Sequence, residues 1–133
     1  MTRLVNDEID ILAELVPAPG PQVIELGCGA ARMARQMLQR WPGLRYVGLE
    51  VDTIQHARNL QDPPAGMRFV AAGAQDIPCE DGQFDLVLML KSLHHVPLDA
   101  MDQALAEVAR VLRPGGYLYV SEPVFAGPLN EVT

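Results

Sequence analysis

Two carboxylates in this chain stand where they could hold a ligand. Glu25 ends an apolar run and opens the stretch Glu25-Leu26-Gly27-Cys28-Gly29-Ala30-Ala31-Arg32. Gly27 and Gly29 permit a tight strand-to-helix turn and let a ligand approach the backbone closely. Glu50 ends the next apolar run, roughly 20 residues past the turn, where a strand-end acid meets ribose hydroxyls. An ordinary solvated acid is the alternative for Glu50. A dinucleotide turn would need a third glycine at position 32, which is Arg32. A carboxylate such as Glu25 also repels a pyrophosphate but attracts an ammonium or sulfonium group. The turn therefore suits a cationic ligand.

Two further stretches could complete a site. Ala72-Gly73-Ala74-Gln75-Asp76-Ile77-Pro78 follows a third apolar run. Such a loop could lie over a nucleoside base, reading adenine with a backbone N–H and a side-chain acceptor; a plain connection is the alternative. Lys91-Ser92-Leu93-His94-His95 follows a fourth. Adjacent histidines on an extended segment point opposite ways, so one can face a pocket as a general base. A structural role for either is equally open. A metal on His94, His95 and Asp99 is disfavoured, because adjacent ligands chelate poorly and no further Cys/His cluster exists.

The elements that position these residues alternate regularly. Residues 5–16 read as a helix capped by Asn6 or Asp7, and Pro17-Ala18-Pro19-Gly20-Pro21 ends it. Strands are expected at 22–26, 44–49, 67–71, 84–90 and 117–121. Between them fall helices with stripes Ala31, Ala34, Leu38, Trp41 and Leu98, Met101, Leu105, Val108, Leu112, and a short helix from Asp52 or Thr53 to Leu60. Asp99 is the expected cap of the longest, and Pro114-Gly115-Gly116 its stop. This rhythm predicts an α/β fold, a doubly wound parallel sheet in strand order 3-2-1-4-5. Ligands bind beyond the carboxyl ends of such strands, where all four stretches lie.

Composition narrows the partners. The 133 residues suffice for one domain with its own core. The balance of 10 Lys+Arg against 17 Asp+Glu, a formal charge of −7, disfavours nucleic acid and anionic membrane. The apolar run Leu86 to Leu90 is too short to span a bilayer. With two cysteines and no signal-peptide pattern, a cytoplasmic location is expected.

The chain resembles the class I S-adenosylmethionine-dependent methyltransferases, type 11 branch. The stretches VIELGCGAARMA, YVGLE, AQDIPCEDGQFDLV, LHHVP and LRPGGYLYVSEP carry the resemblance, in order, across most of residues 22–123. It implies a Rossmann-like fold and methyl transfer from S-adenosylmethionine to an acceptor; the acidic surface favours a small molecule. It implies that Glu25, Gly27, Cys28 and Gly29 line the methionine part of the cofactor. Glu50, with Val51 beside it, would hold the ribose. Ala74 would offer its N–H to adenine, with Gln75 nearby. Backbone at Met89 and Leu90 would close the methionine end, and His94 or His95 would border the acceptor pocket, where either is the candidate catalytic base if the acceptor is a poor nucleophile. No metal is implied.

Three departures carry expectations of their own. Ala31 stands where the family has its last turn glycine; alanine is small and helix-favouring, so little harm is expected. Gly73 replaces the acid that usually meets the adenine amino group. The chain stops after strand 5, so residues 1–133 are expected to be one domain lacking the family's strands 6 and 7. That leaves strand 5 as an exposed edge, with self-association through it or marginal solubility expected. The rival readings are a non-catalytic S-adenosylmethionine-binding module, or fragment acting with a partner or further chain, and a nicotinamide oxidoreductase, against which Arg32 and Glu25 count.

Overall fold

The computed structural model describes residues 8–15, 21–90 and 96–121. Five strands, β1 (Gln22–Leu26), β2 (Arg45–Leu49), β3 (Met67–Val70), β4 (Phe84–Leu90) and β5 (Leu112–Ser121), form one sheet in the order β3-β2-β1-β4-β5. Every neighbouring pair is parallel. Helices α1 (Glu8–Leu15), α2 (Arg32–Arg40), α3 (Thr53–Asn59) and α4 (Met101–Val111) accompany them. The expected caps Asn6 and Asp7 and residues 16–20 lie outside the described residues.

The central strands are apolar on both faces because both faces are covered. One core gathers Val23, Leu86 and Leu88 with Leu12 of α1 and Ala34 and Met37 of α2. The other gathers Ile24, Leu26, Val87 and Met89 with Val108 and Val111 of α4. Successive residues of β1 thus enter opposite cores, as the two-residue period of a strand demands.

Three local expectations are corrected. Asp99 does not cap α4; it lies in a 3-10 turn, Leu98–Ala100, and the cap position is Ala100, which lends no side-chain bond. The buried stripe of α4 is Ala104, Val108 and Val111, whereas Leu98 and Leu105 of the expected stripe are exposed; the 3-10 turn puts Leu98 out of phase with the helix. Pro114-Gly115-Gly116 is not a simple helix stop. The helix ends at Val111, pairing begins at once with Leu112 opposite Phe84, and the chain bulges before Tyr117 meets Leu86. Gly115 takes a φ of 83° within that excursion. Asp52, as expected, caps α3, accepting from the N–H groups of Ile54 and Gln55. β5 is the marginal strand, with Tyr117, Leu118 and Val120 partly exposed.

One polar pair sits inside the first core. Glu25, 3% exposed, shares its strand face with Val23 and accepts a hydrogen bond of 2.7 Å from the Tyr46 hydroxyl. Gly48 lies opposite Glu25 in the β1–β2 register. A Cβ at Gly48 would come within 2.8 Å of Cys28 Sγ, 2.9 Å of Tyr46 Oη and 3.0 Å of Phe69 Cδ1. The missing side chain is what makes room for the Tyr46 hydroxyl. Burial raises the Glu25 carboxyl from 4.5 to about 7; the Tyr46 bond opposes that rise and the nearby Glu50 charge adds to it.

Two predictions follow from that pair. Gly48→Ala should cost about 1–3 kcal/mol of stability through overpacking, measured by chemical denaturation. Glu25 stays protonated in the fold while the unfolded chain ionises, so its presence erodes stability as pH climbs from about 4.5 to about 7. The neutral Glu25→Gln should therefore gain on the wild type across that window, by up to about 3 kcal/mol in urea titrations. A constant gap between the two proteins would show that Glu25 does not titrate this way.

Candidate functional site

The turn after β1 is built from left-handed backbone. Gly27 has φ 66° and Gly29 φ 53°, and a Cβ at Gly29 would meet nothing within 4 Å, so this glycine faces open space. Ala31 also takes φ 57° and ψ 44°, as the cap residue of α2. Its helix propensity is therefore irrelevant, contrary to expectation: helical backbone begins only at Arg32. The left-handed alanine costs about 1–2 kcal/mol, against which its buried methyl group packs in the first core.

Neighbouring elements pin the turn from several sides. Cys28 N–H donates to Leu49 O at 2.9 Å, tying the turn to the end of β2. Gly29 N–H donates to Glu50 Oε1 at 2.8 Å, and the other carboxylate oxygen of Glu50 accepts from Asp52 N–H at 3.0 Å. Asn59, 3% exposed at the end of α3, donates to Gly29 O at 2.8 Å and to Cys28 Sγ at 3.8 Å. Gln55 Nε2 in turn donates to Asn59 Oδ1 at 2.9 Å. Cys28 is no nucleophile here: burial first, then the Glu25 and Glu50 charges, push its thiol up to about 12.

The turn borders a cleft of about 560 Å³ at the carboxyl ends of the strands. Gly27 and Gly29 line it from the turn, Glu50 and Val51 from the end of β2, Ala74 and Gln75 from the loop after β3, and Met89 from β4. Seven of the residues singled out in the sequence thus meet at one cavity. Three others do not. Glu25, Cys28 and Leu90 line a neighbouring cavity of about 480 Å³ with Arg32, Gln36 and Ser121. His94 and His95 lie outside the described residues. Among the described residues no three His, Cys, Asp or Glu side chains gather as a metal site.

Other residues that shape the cleft escaped the sequence reading. Val96 and Pro97 line it. α4 holds the loop after β3 in place: Gln103 Nε2 donates to Gln75 O at 2.7 Å, and Glu107 accepts from Ile77 N–H at 2.8 Å. Arg110 donates to the carbonyls of Ile77 and Cys79, both at 2.8 Å, while pairing with Glu107 and Asp81. For Asn59 a signal did exist. Gln55 and Asn59 are four apart on a short helix, which puts two polar side chains on one face.

The cleft has the features to hold a nucleoside. Glu50 Oε1 and Oε2 each hold one N–H, and a carboxylate oxygen can accept more than one, so capacity for ribose hydroxyls remains. The open space at Gly29 admits a ligand against the backbone. Val51, Ala72, Met89 and Val96 offer apolar surface to a base.

Comparison with known proteins supplies the family. A methyltransferase-domain model matches residues 24–120. The fatty-acid O-methyltransferase of Mycolicibacterium smegmatis is 40% identical over 105 residues, covering 77% of this chain and 37% of that protein. A phthiotriol/phenolphthiotriol dimycocerosates methyltransferase of Mycobacterium ulcerans is 34% identical over 119 residues, covering 88% and 42%. The chain thus spans about two-fifths of the length of these curated relatives. The crystal structure of the [4+2]-cyclase SpnF superposes with a TM-score of 0.73 at 27% identity, over 88% of this chain and 44% of that one. With the sheet order, the glycine turn and the matched residues in agreement, this chain belongs to the class I S-adenosylmethionine-dependent methyltransferases, in the type 11 branch.

Proposed function

We propose that the chain binds S-adenosylmethionine in the 560 Å³ cleft and serves methyl transfer to a small-molecule acceptor. The observation that carries this reading is Glu50: a carboxylate at the mouth of an apolar cleft, fixed by the N–H groups of Gly29 and Asp52. When bound, S-adenosylmethionine supplies a methyl group already activated on a sulfonium sulfur.

The chain's own residues then have positioning to do. Glu50 holds the ribose hydroxyls, and Ala74 and Gln75 meet the adenine. Gly27 and Gly29 let the ligand lie against the turn. Met89 and Val96 keep water from the cleft, which strengthens every polar contact inside it. Fixing the cofactor against the acceptor is the larger part of the catalytic task, since orientation alone can supply several kcal/mol. His94 or His95 would take a proton from an acceptor that needs one removed. The names of the relatives, one acting on fatty acids and one on phthiotriols, support an acceptor of small-molecule class.

A second reading is a module that binds S-adenosylmethionine without transferring its methyl group. The likeness to a cyclase supports it, because the same fold there serves a different reaction.

Isothermal titration with S-adenosylmethionine is the direct test. A folded chain that takes up none at millimolar ligand would sink both readings. Glu50→Gln keeps the size and loses the charge; it should weaken binding roughly 10- to 100-fold, the worth of hydrogen bonds to a charged group. Unchanged affinity would remove Glu50 from the ribose role. Methyl transfer from labelled cofactor to fatty-acid or phthiotriol acceptors would separate the first reading from the second.

A further inference from the structure

Among the described residues the sheet has two edges, β3 and β5. An edge strand offers its outward N–H and C=O groups to any second strand, and short length, charge, proline or a bulge normally blocks that pairing. β3 is short and carries the exposed Arg68. β5 has such devices only in its first half, where Arg113, Pro114 and the bulge precede Tyr117. The stretch Tyr117-Leu118-Tyr119-Val120-Ser121 has no charge, proline or glycine, and it runs in unbroken register with β4.

The side chains of this stretch are thinly covered on both faces. Tyr117 is 48% exposed, Leu118 37% and Val120 39%. Leu118 and Val120 stand opposite Val87 and Met89, on the side of the second core. Tyr117 stands opposite Leu86, on the side of the first. A helix packed on one face would cover only half of this surface. A strand added in the plane of the sheet covers both halves at once. A formal charge of −7 makes two copies repel, so they can meet closely only where charge is absent, as it is here.

We propose that this edge pairs with the same edge of a second copy, antiparallel and centred on Tyr119, so that one sheet runs through a two-fold dimer. Two identical edges that close on each other in one sheet are related by a two-fold axis, which sets the strands antiparallel. Residues facing each other across such a pair both point toward or both point away from the partner strand, so the axis passes through a residue, not between two. With Tyr119 at the axis the whole stretch is used. Tyr117 then faces Ser121 of the other copy, and Leu118 faces Val120 of the other copy, twice over. Each of these contacts joins side chains on the same face of the combined sheet. So short a contact falls below the roughly 800 Å² that each partner buries in a stable interface, and the dimer is accordingly weak and reversible.

Analytical ultracentrifugation of the full chain, from micromolar to near-millimolar concentration, is the test. The wild type should pass from monomer to dimer and form nothing larger. Leu118→Lys and Val120→Glu each alter both Leu118–Val120 contacts. Each should weaken the dimer roughly 2- to 30-fold, the worth of two cross-strand pairs. An equal mixture of the two variants should associate more tightly than either alone. In the mixed pair the introduced lysine faces the introduced glutamate, and the other Leu118–Val120 contact is restored. A mixture no tighter than its components would overturn the pairing centred on Tyr119. A wild type that stays monomeric throughout, or that grows into open-ended species, would overturn the dimer and leave the edge to a different occupant. That wild-type result decides the matter even where a variant does not fold.

Discussion

The peptide groups on either side of Gly29 are held from opposite directions, and the site depends on that grip. Its N–H is fixed by Glu50 from the end of β2, its carbonyl by Asn59 from the end of α3. A left-handed turn is entropically expensive for a glycine, and the adjoining left-handed Ala31 adds strain. Hydrogen bonds to a charged carboxylate and to a buried amide are among the stronger ones available to offset this. Asn59 in turn needs Gln55 to satisfy its own oxygen. The short helix α3 therefore does more than connect β2 to β3; it carries the clamp, and the Asp52 cap that starts it also anchors Glu50.

The same economy governs the inner side of β1. Glu25 is buried where a parallel strand normally places an aliphatic side chain. It survives there because Tyr46 satisfies one oxygen and because Gly48, opposite, leaves the volume that the tyrosine hydroxyl needs. Three positions in adjacent strands, Glu25, Tyr46 and Gly48, thus form one unit.

Much of this was legible from the sequence, and the limits are physical. The strand order followed from the alternation of apolar runs with helices, because parallel strands need crossovers and crossovers have one hand. Glu50, Gly27, Gly29 and Gln75 could be placed because strand ends and the turns after them are fixed in that topology. What failed was phase. Leu98 looked like part of the α4 stripe until the 3-10 turn rotated it outward, and Asp99 lost its capping position for the same reason. Ala31 was judged by helix propensity, though it stands one residue before the helix in a conformation that propensity does not describe. Asn59, Gln103 and Arg110 act on partners some thirty residues distant in the chain, and local pattern has no access to such pairs.

Two acids flank one glycine turn, and their charges interact. The Glu50 charge is felt at Glu25, where it adds to burial in holding the proton on. A ligand bringing a pyrophosphate to this turn would meet the Glu50 charge as repulsion. A ligand bringing a positive centre would relieve it and would draw Glu25 toward its ionised form. An opposite charge close to a buried carboxyl reverses the penalty of burial. Glu25 is therefore costly in the empty fold and favourable beside a cation. Its burial weakens the fold near neutral pH, and a cationic group against that side of the turn would offset that cost.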